Sequence, residues 1–222
     1  MKKLNKELWK ALFIWNKSKI DYFINFRESF IDYLKGKEIK NKKMKEGIEY
    51  HQLITRFFKE QIEIREIEKI KDKILKNALL KILEFEKNNN LKLIAIEKTF
   101  QSKLKLKELQ IKNEIESFIQ SNFRRDTVIV NGRIDFLLKD NKNFYILELK
   151  LNNFKEDLFY PWLFWKINKR TPILITFNIK EGNLKERPLN KNEIINLDYN
   201  IKKTIKEGIE FIYFNKNKFI EF

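Results

Sequence analysis

The feature that most constrains this chain is a change of hydrophobic period near residue 90. From Leu4 to Phe85 apolar residues recur at three- and four-residue steps, as in Ile54, Phe57, Phe58 and Ile62, and again in Ile67, Ile70, Ile74 and Ala78. That spacing lines one face of an α-helix. Past the loop signal Asn88-Asn89-Asn90 the pattern changes, and residues 91–100, 127–140 and 143–151, rich in β-branched and aromatic side chains, read as strands. Helices first and then strands interleaved with helices predict an α/β chain: a helical N-terminal portion over 1–90 and a mixed central sheet flanked by helices over 91–222.

Finer expectations follow from local signals. Ser18 is a candidate N-cap for a helix reaching Leu34, with Gly36 as its terminator. A long helical run spans about Lys42 to Glu86, and another helix lies within Lys105 to Phe123. The polar stretch from Asp140 to Asn143 predicts a turn joining two antiparallel strands. An apolar-aromatic helix is expected from Phe154 to Lys169, a strand over 172–179, a helix near Asn190 to Glu207, and last the short strands EFIYF and KFIEF.

Composition narrows the function classes. A chain of 222 residues can bury an adequate core without covalent staples, and it has no cysteine. Disulfide scaffolds, cysteine-ligated zinc, iron–sulfur clusters and a Cys nucleophile are thereby excluded. There is no apolar run of about 18 residues, and MKKLNKELWK lacks the apolar core and cleavage site of a signal peptide, so a cytoplasmic protein with no membrane partner is expected. Against 31 acidic residues stand 47 basic ones, a net +16 that suits a polyanionic partner such as DNA. A Lys-, Ile- and Asn-rich composition of the kind an AT-rich genome imposes on any protein dilutes that inference.

The chemistry concentrates in Gly132-Arg133-Ile134-Asp135 and, on the next strand, Ile146-Leu147-Glu148-Leu149-Lys150. Alternation along a strand sends Glu148 and Lys150 to one face and Leu147, Leu149 and Leu151 to the other. If the two strands pair, Asp135 approaches the same polar side. Two carboxylates suit Mg²⁺ or Mn²⁺, and a lysine beside them can orient water and offset charge on a phosphate.

An Asp near the end of one strand followed by Glu-x-Lys on the next resembles the PD-(D/E)XK nuclease superfamily. Further elements resemble its RecB-like branch, which includes CRISPR-associated adaptation nucleases: Gly47-Ile48-Glu49-Tyr50-His51 as Gly-x-x-x-His, Glu97-Lys98-Thr99-Phe100 ahead of the Asp strand, and the Gly-Arg-Ile-Asp and Glu-Leu-Lys elements themselves. The resemblance implies a restriction-endonuclease-like core, His51, Asp135, Glu148 and the backbone carbonyl of Leu149 as metal ligands, and Lys150 as the catalytic lysine, with Glu97 a further site candidate. Two departures stand out. Asn25-Phe26-Arg27 occupies the place of an expected Cys-Pro-Arg, so no cluster can be built. Asp157-Leu158-Phe159-Tyr160-Pro161-Trp162 replaces the usual Gln-x-x-x-Tyr, leaving Tyr160 as a partial substitute.

Each assignment has a plainer competitor. A lone helical histidine is commonly a surface residue, and a Glu/Lys pair on a strand is commonly a cross-strand contact. Ile146, Leu147, Leu149 and Leu151 oppose the second reading, because charges on an interior strand seldom lack a use. Arg124, Arg125 and the lysines of 37–45 are candidates for phosphate contact or ordinary surface. Trp162, Phe164 and Trp165 are read as core rather than as base-stacking groups. The leading expectation is a Mg²⁺- or Mn²⁺-dependent DNA nuclease, an exonuclease or end-processing enzyme that works with repair, recombination or CRISPR adaptation proteins. The alternative is a catalytically weak DNA-binding subunit with the same fold.

Overall fold

The computed structural model describes residues 2–36, 42–152 and 156–219. In chain order the elements are α1 (Lys2–Phe13), β1 (Ile14–Trp15), α2 (Lys17–Asn25), α3 (Phe30–Leu34), α4 (Lys42–Lys59), α5 (Ile64–Glu68), α6 (Lys73–Asn88), β2 (Lys92–Lys105), α7 (Leu106–Leu109), α8 (Asn113–Phe123), β3 (Thr127–Lys139), β4 (Phe144–Lys150), α9 (Phe159–Asn168), β5 (Ile173–Asn178), β6 (Asn183–Pro188) and α10 (Lys191–Phe214). The chain is α/β, with a helical N-terminal portion and a mixed six-stranded sheet in the order β1-β3-β4-β5-β6, β2 also pairing with β3. β1 runs parallel to β3, β3 antiparallel to β4, β4 parallel to β5 and β5 antiparallel to β6. No helix among the described residues is long and apolar enough to cross a membrane.

The β3–β4 hairpin forms where the polar turn places it, with Phe136 opposite Leu147 and Lys139 opposite Phe144. Asp140 Oδ1 accepts the amides of Lys142 and Asn143, and Oδ2 accepts the Tyr145 hydroxyl at 2.8 Å. These donors, the backbone amides first, hold the Asp140 carboxyl down at about 2.

Several boundaries differ from the sequence expectation, for local reasons. The first of these helices is capped by Asn16, whose side chain accepts the Lys19 amide, rather than by Ser18; it breaks at Phe26 before α3. Gly36, at φ +87, follows α3 in the left-handed conformation a terminator needs. The run from 42 to 86 is three helices. Left-handed Gln61 follows α4, and Asp72 restarts the chain at α6 by accepting the Ile74 and Leu75 amides. The periodicity spans the breaks because Ile54, Phe57, Ile67, Ala78, Leu79 and Ile82 all enter one core. Left-handed Gln110 likewise divides the 105–123 segment into α7 and α8. EFIYF is helical, since Ile201, Ile205, Ile209 and Ile212 continue the buried stripe of α10 and override local strand preference. Lys216–Phe219 is a 3₁₀ turn, and the end of KFIEF lies outside the described residues. The start of the Phe154 helix also lies outside them; α9 begins at Phe159. β1 and β6 carry no sequence signal: β1 has two residues, and β6 reads NLKERP, a polar edge strand.

The residues group into two compact units. The first comprises Met1–Ile39, Gln101–Gly132 and Asn192–Phe222. At its centre Trp15 is fully buried, with its indole N–H donating to the Leu12 carbonyl at 2.9 Å and Phe30 6.3 Å away. Lys19 is buried beside it, 4.0 Å above the ring, and its ammonium serves the Ala11 and Ile14 carbonyls. The first of these lies in the last turn of α1, where a helix leaves its carbonyls unpaired, and the second is in β1. Burial pushes the Lys19 pKa well below the usual lysine range.

Gly208 of α10 lies against the Trp15 ring, and a Cβ there would sit 2.2 Å from an indole carbon. Gly208→Ala is therefore expected to destabilise the protein by about 1–3 kcal/mol through overpacking, despite a helix-propensity gain of about 1 kcal/mol. A thermal melt followed by tryptophan fluorescence reads the loss. An unchanged midpoint would mean that the indole moves aside at no cost.

The second unit comprises Lys40–Phe100 and Arg133–Lys191. Helices α4, α5 and α6 pack on one face of its strands through Ile54, Phe57, Leu79, Ile82, Phe136, Leu147, Leu149, Ile175 and Phe177. The opposite face of β4 carries the polar residues.

Candidate active site

All of the site belongs to the second unit and begins where the hairpin parts. Pairing of β3 with β4 runs from Lys139–Phe144 to Phe136–Leu147. One residue earlier on β3, Asp135 Oδ2 accepts the Leu149 amide at 2.9 Å. A side-chain carboxylate thus takes an N–H that the antiparallel ladder would otherwise give to a main-chain carbonyl. The Lys150 carbonyl accepts Ile179 N–H at 2.8 Å and so faces the β5 side. By alternation the Leu149 carbonyl faces the other way, toward Asp135.

Leu147 and Leu149 are buried in the apolar core, whereas Glu148 and Lys150 point away from it. In register beside them on β5 stand Thr176 and Asn178, so four polar residues form a block across two strands. Glu148 is 2% exposed, and its Oε1 has no hydrogen-bond partner among the described residues. Burial is the main force raising its pKa well above the usual carboxylate range. The Asp135 charge adds to it and Lys150 opposes it. Asn178 is buried too, and its Nδ2 likewise lacks an acceptor.

The remaining groups arrive from three elements. His51, two turns before the end of α4, places Nε2 2.7 Å from Asp135 Oδ1. Thr55, one turn on, returns its hydroxyl to the His51 carbonyl at 2.9 Å. Gly47 packs on Leu151, where a Cβ would make ordinary contact at 3.8 Å, so space alone does not demand glycine there. Ahead of α9, Asp157 holds its Oδ2 3.7 Å from Lys150 Nζ, and its Oδ1 accepts the Phe159 amide at 3.3 Å. Tyr160 stands on the first turn of α9. Burial first, and then the charges of Glu148, Asp157 and Asp135, push its pKa above the usual tyrosine range. The phenol is thereby kept neutral, as a hydrogen-bond donor.

Glu97 lies in β2 with φ +48, a left-handed residue inside a strand. For a side chain other than Gly this costs about 1–2 kcal/mol. Its carboxylate pairs with Lys59, with Arg133 Nη1 at 3.2 Å, and more distantly with His51 Nδ1 at 3.9 Å. The Lys59 hydrogen bond is the main cause holding its pKa below the usual range.

The sequence candidates His51, Glu97, Asp135, Glu148, Leu149, Lys150 and Tyr160 are thus all drawn into one unit. Arg124 and Arg125 belong to the other, where Arg124 caps α8 in a left-handed conformation and Arg125 lies 5.8 Å over the Trp9 ring. Trp162 and Phe164 are buried, as core residues should be. The lysines of 37–41 lie outside the described residues. Missing from the sequence reading were Asp157, Thr176, Asn178 and Lys59. For Asp157 the signal was available: an acid just ahead of a helix, close in sequence to Glu-x-Lys.

Among the described residues no three His, Asp or Glu side chains form a ready-made metal cage. The donors that could hold a divalent cation are the hard oxygens of Asp135 and Glu148, the Leu149 carbonyl and the His51 imidazole. They fit such an ion on one specific point: Glu148 Oε1 is buried and has no hydrogen-bond partner among the described residues.

No protein-family model matches the sequence, and no curated protein matches it. Among solved structures the crystal structure of SSO0001 is similar at a TM-score of 0.36 and 12% identity, over 89% of this chain and 82% of that one. That likeness is too slight to build on.

Proposed function

We propose that this chain is a Mg²⁺- or Mn²⁺-dependent DNA nuclease of the PD-(D/E)XK type, cutting phosphodiester bonds as an exonuclease or end-processing enzyme. The observation that carries the reading is the pairing of Asp135 with the Leu149 amide beside the unpartnered oxygen of buried Glu148. A carboxylate kept only for structure would have both oxygens satisfied in such a place, whereas a ligand carboxylate needs a free oxygen.

Asp135, Glu148 and the Leu149 carbonyl would hold the cation, with His51 completing the set on release from Asp135. When bound, the ion supplies Lewis acidity to the scissile phosphate and to a water. Lys150, on the same strand face as Glu148, brings an ammonium to the charge developing on the phosphate oxygens. Asp157 positions that ammonium from behind. Tyr160 offers a neutral hydroxyl from α9 where the resembled branch has its Gln-x-x-x-Tyr. Repair, recombination or CRISPR adaptation are the settings the resemblance suggests.

Cleavage of end-labelled single- and double-stranded DNA with Mn²⁺, Mg²⁺ or EDTA, run beside Asp135→Ala, tests the reading. Metal-dependent products lost in the variant are expected. Salt-sensitive DNA binding without products would replace the enzyme by a binding subunit of the same fold.

A further inference from the structure

One charged cluster in the second unit borders this site without being assigned to the cation or to the scissile phosphate: Lys59, Glu97 and Arg133. Lys59 ends α4, two helical turns past His51, and Arg133 lies on β3 two residues before Asp135, on the same strand face. Both therefore flank the His51–Asp135 contact. Their side chains are 48% and 58% exposed, whereas the Glu97 side chain they share is 16% exposed. The carboxylate lies beneath and the cationic heads reach toward solvent.

We propose that Lys59 and Arg133 form a clamp for a backbone phosphodiester of the nucleic acid, next to the one that is cut, and that Glu97 holds the clamp in shape. The proposal rests on the nuclease reading above. Each cation spends one contact on Glu97 and keeps donors to spare, since an ammonium has three and a guanidinium five. Two positive charges against one negative leave a single net charge, the complement of a monoanionic phosphodiester. Exposed ion pairs contribute little to stability, so a stabilising role does not account for the cluster.

The backbone of Glu97 points the same way. The other left-handed non-Gly residues among those described, Gln61, Asn90, Gln110, Arg124 and Lys169, all lie just past helix ends. Glu97 alone adopts this conformation inside a strand, turning its carboxylate to where Lys59 and Arg133 meet. Local strain kept at such a point is a feature of ligand clamps.

The test is DNA binding in EDTA, where cleavage plays no part. A labelled single strand is titrated by fluorescence anisotropy across a series of KCl concentrations with the wild type, Lys59→Ala/Arg133→Ala, and a Lys92→Ala/Lys142→Ala control that loses the same charge elsewhere. The clamp variant is expected to bind about tenfold or more weakly and to lose about 0.7 from the slope of log K against log salt, the share of the one phosphate it neutralises. Lys59→Arg/Arg133→Lys, which keeps both charges, should retain most of the slope and reports on folding together with circular dichroism. A clamp variant that matches the control in affinity and slope overturns the clamp and leaves the nuclease reading standing. A wild-type protein that fails to bind DNA at low salt overturns both.

Discussion

Lys150→Ala is expected to lower metal-dependent DNA cleavage about 10³-fold or more while leaving DNA affinity in EDTA within a few-fold of wild type. The size follows from the roles one ammonium fills at this position. Electrostatic stabilisation by a single preorganised group is worth about 10²–10³ in rate, and a share in proton transfer about 10²–10⁴. Lys150 also stands beside Glu148, where its charge opposes the rise in the Glu148 pKa. Removing it makes Glu148 a poorer anion and so a poorer ligand, and the two losses compound. Its ammonium is directed at Asp157 from within a half-buried position rather than out along the surface, which is why bulk DNA affinity should hardly change. Single-turnover rates with Mn²⁺ and Mg²⁺, paired with anisotropy in EDTA, separate the two effects. Wild-type cleavage by the variant would remove Lys150 from the mechanism.

The strands that carry this chemistry were legible because each one carries two concordant signals. β3 and β4 combine alternation with a polar turn, and their partition of Glu148 and Lys150 from Leu147 and Leu149 is dictated by the two-residue period alone. Helix breaks were not legible. The apolar stripe of α4, α5 and α6 is continuous in sequence because the three helices share one core, so periodicity hides the left-handed turn at Gln61. EFIYF failed in the opposite sense: its aromatic and branched residues favour a strand, but the buried stripe of α10 decides the outcome. β6 was invisible since an edge strand in solvent has no reason to alternate.

Within the candidate site the same logic divides what could be read from what could not. Asp135, Glu148 and Lys150 are neighbours by local strand geometry, so spacing brings them together. Asn178 joins them only through the parallel register of β4 with β5, a pairing separated by a whole helix, and nothing in the sequence around it marks the partnership. Lys59 and Arg133 look like two among 47 basic residues until Glu97 connects them. What sequence conceals here is long-range juxtaposition, the pairing of groups that a whole helix or more of chain separates.

Glu148→Gln should abolish cleavage, by about 10³-fold or more, and at the same time make the metal-free protein more stable at neutral pH. The two effects have one cause. Burial and the Asp135 charge raise the Glu148 pKa in the folded chain above its unfolded value. The folded state therefore holds the proton more tightly, and the stability this contributes is fully present below the unfolded pKa and drains away as pH rises through the folded one. A glutamine of the same shape stays neutral throughout and has no such loss. Wild type and variant should accordingly show similar urea midpoints near pH 4 in EDTA, with the variant pulling ahead as pH rises, by about 1–3 kcal/mol once the wild-type carboxylate is forced to ionise with one oxygen unsatisfied. Adding Mn²⁺ should reverse the order: the cation stabilises only a protein that binds it, so the wild-type midpoint climbs and that of Glu148→Gln stays put. A variant that is no more stable than wild type at high pH, or that responds to Mn²⁺ equally, would mean that the free oxygen of Glu148 is not waiting for a cation. The expected pattern would identify Glu148 as a residue kept at a cost to folding because its charge is needed when a metal and a phosphate arrive.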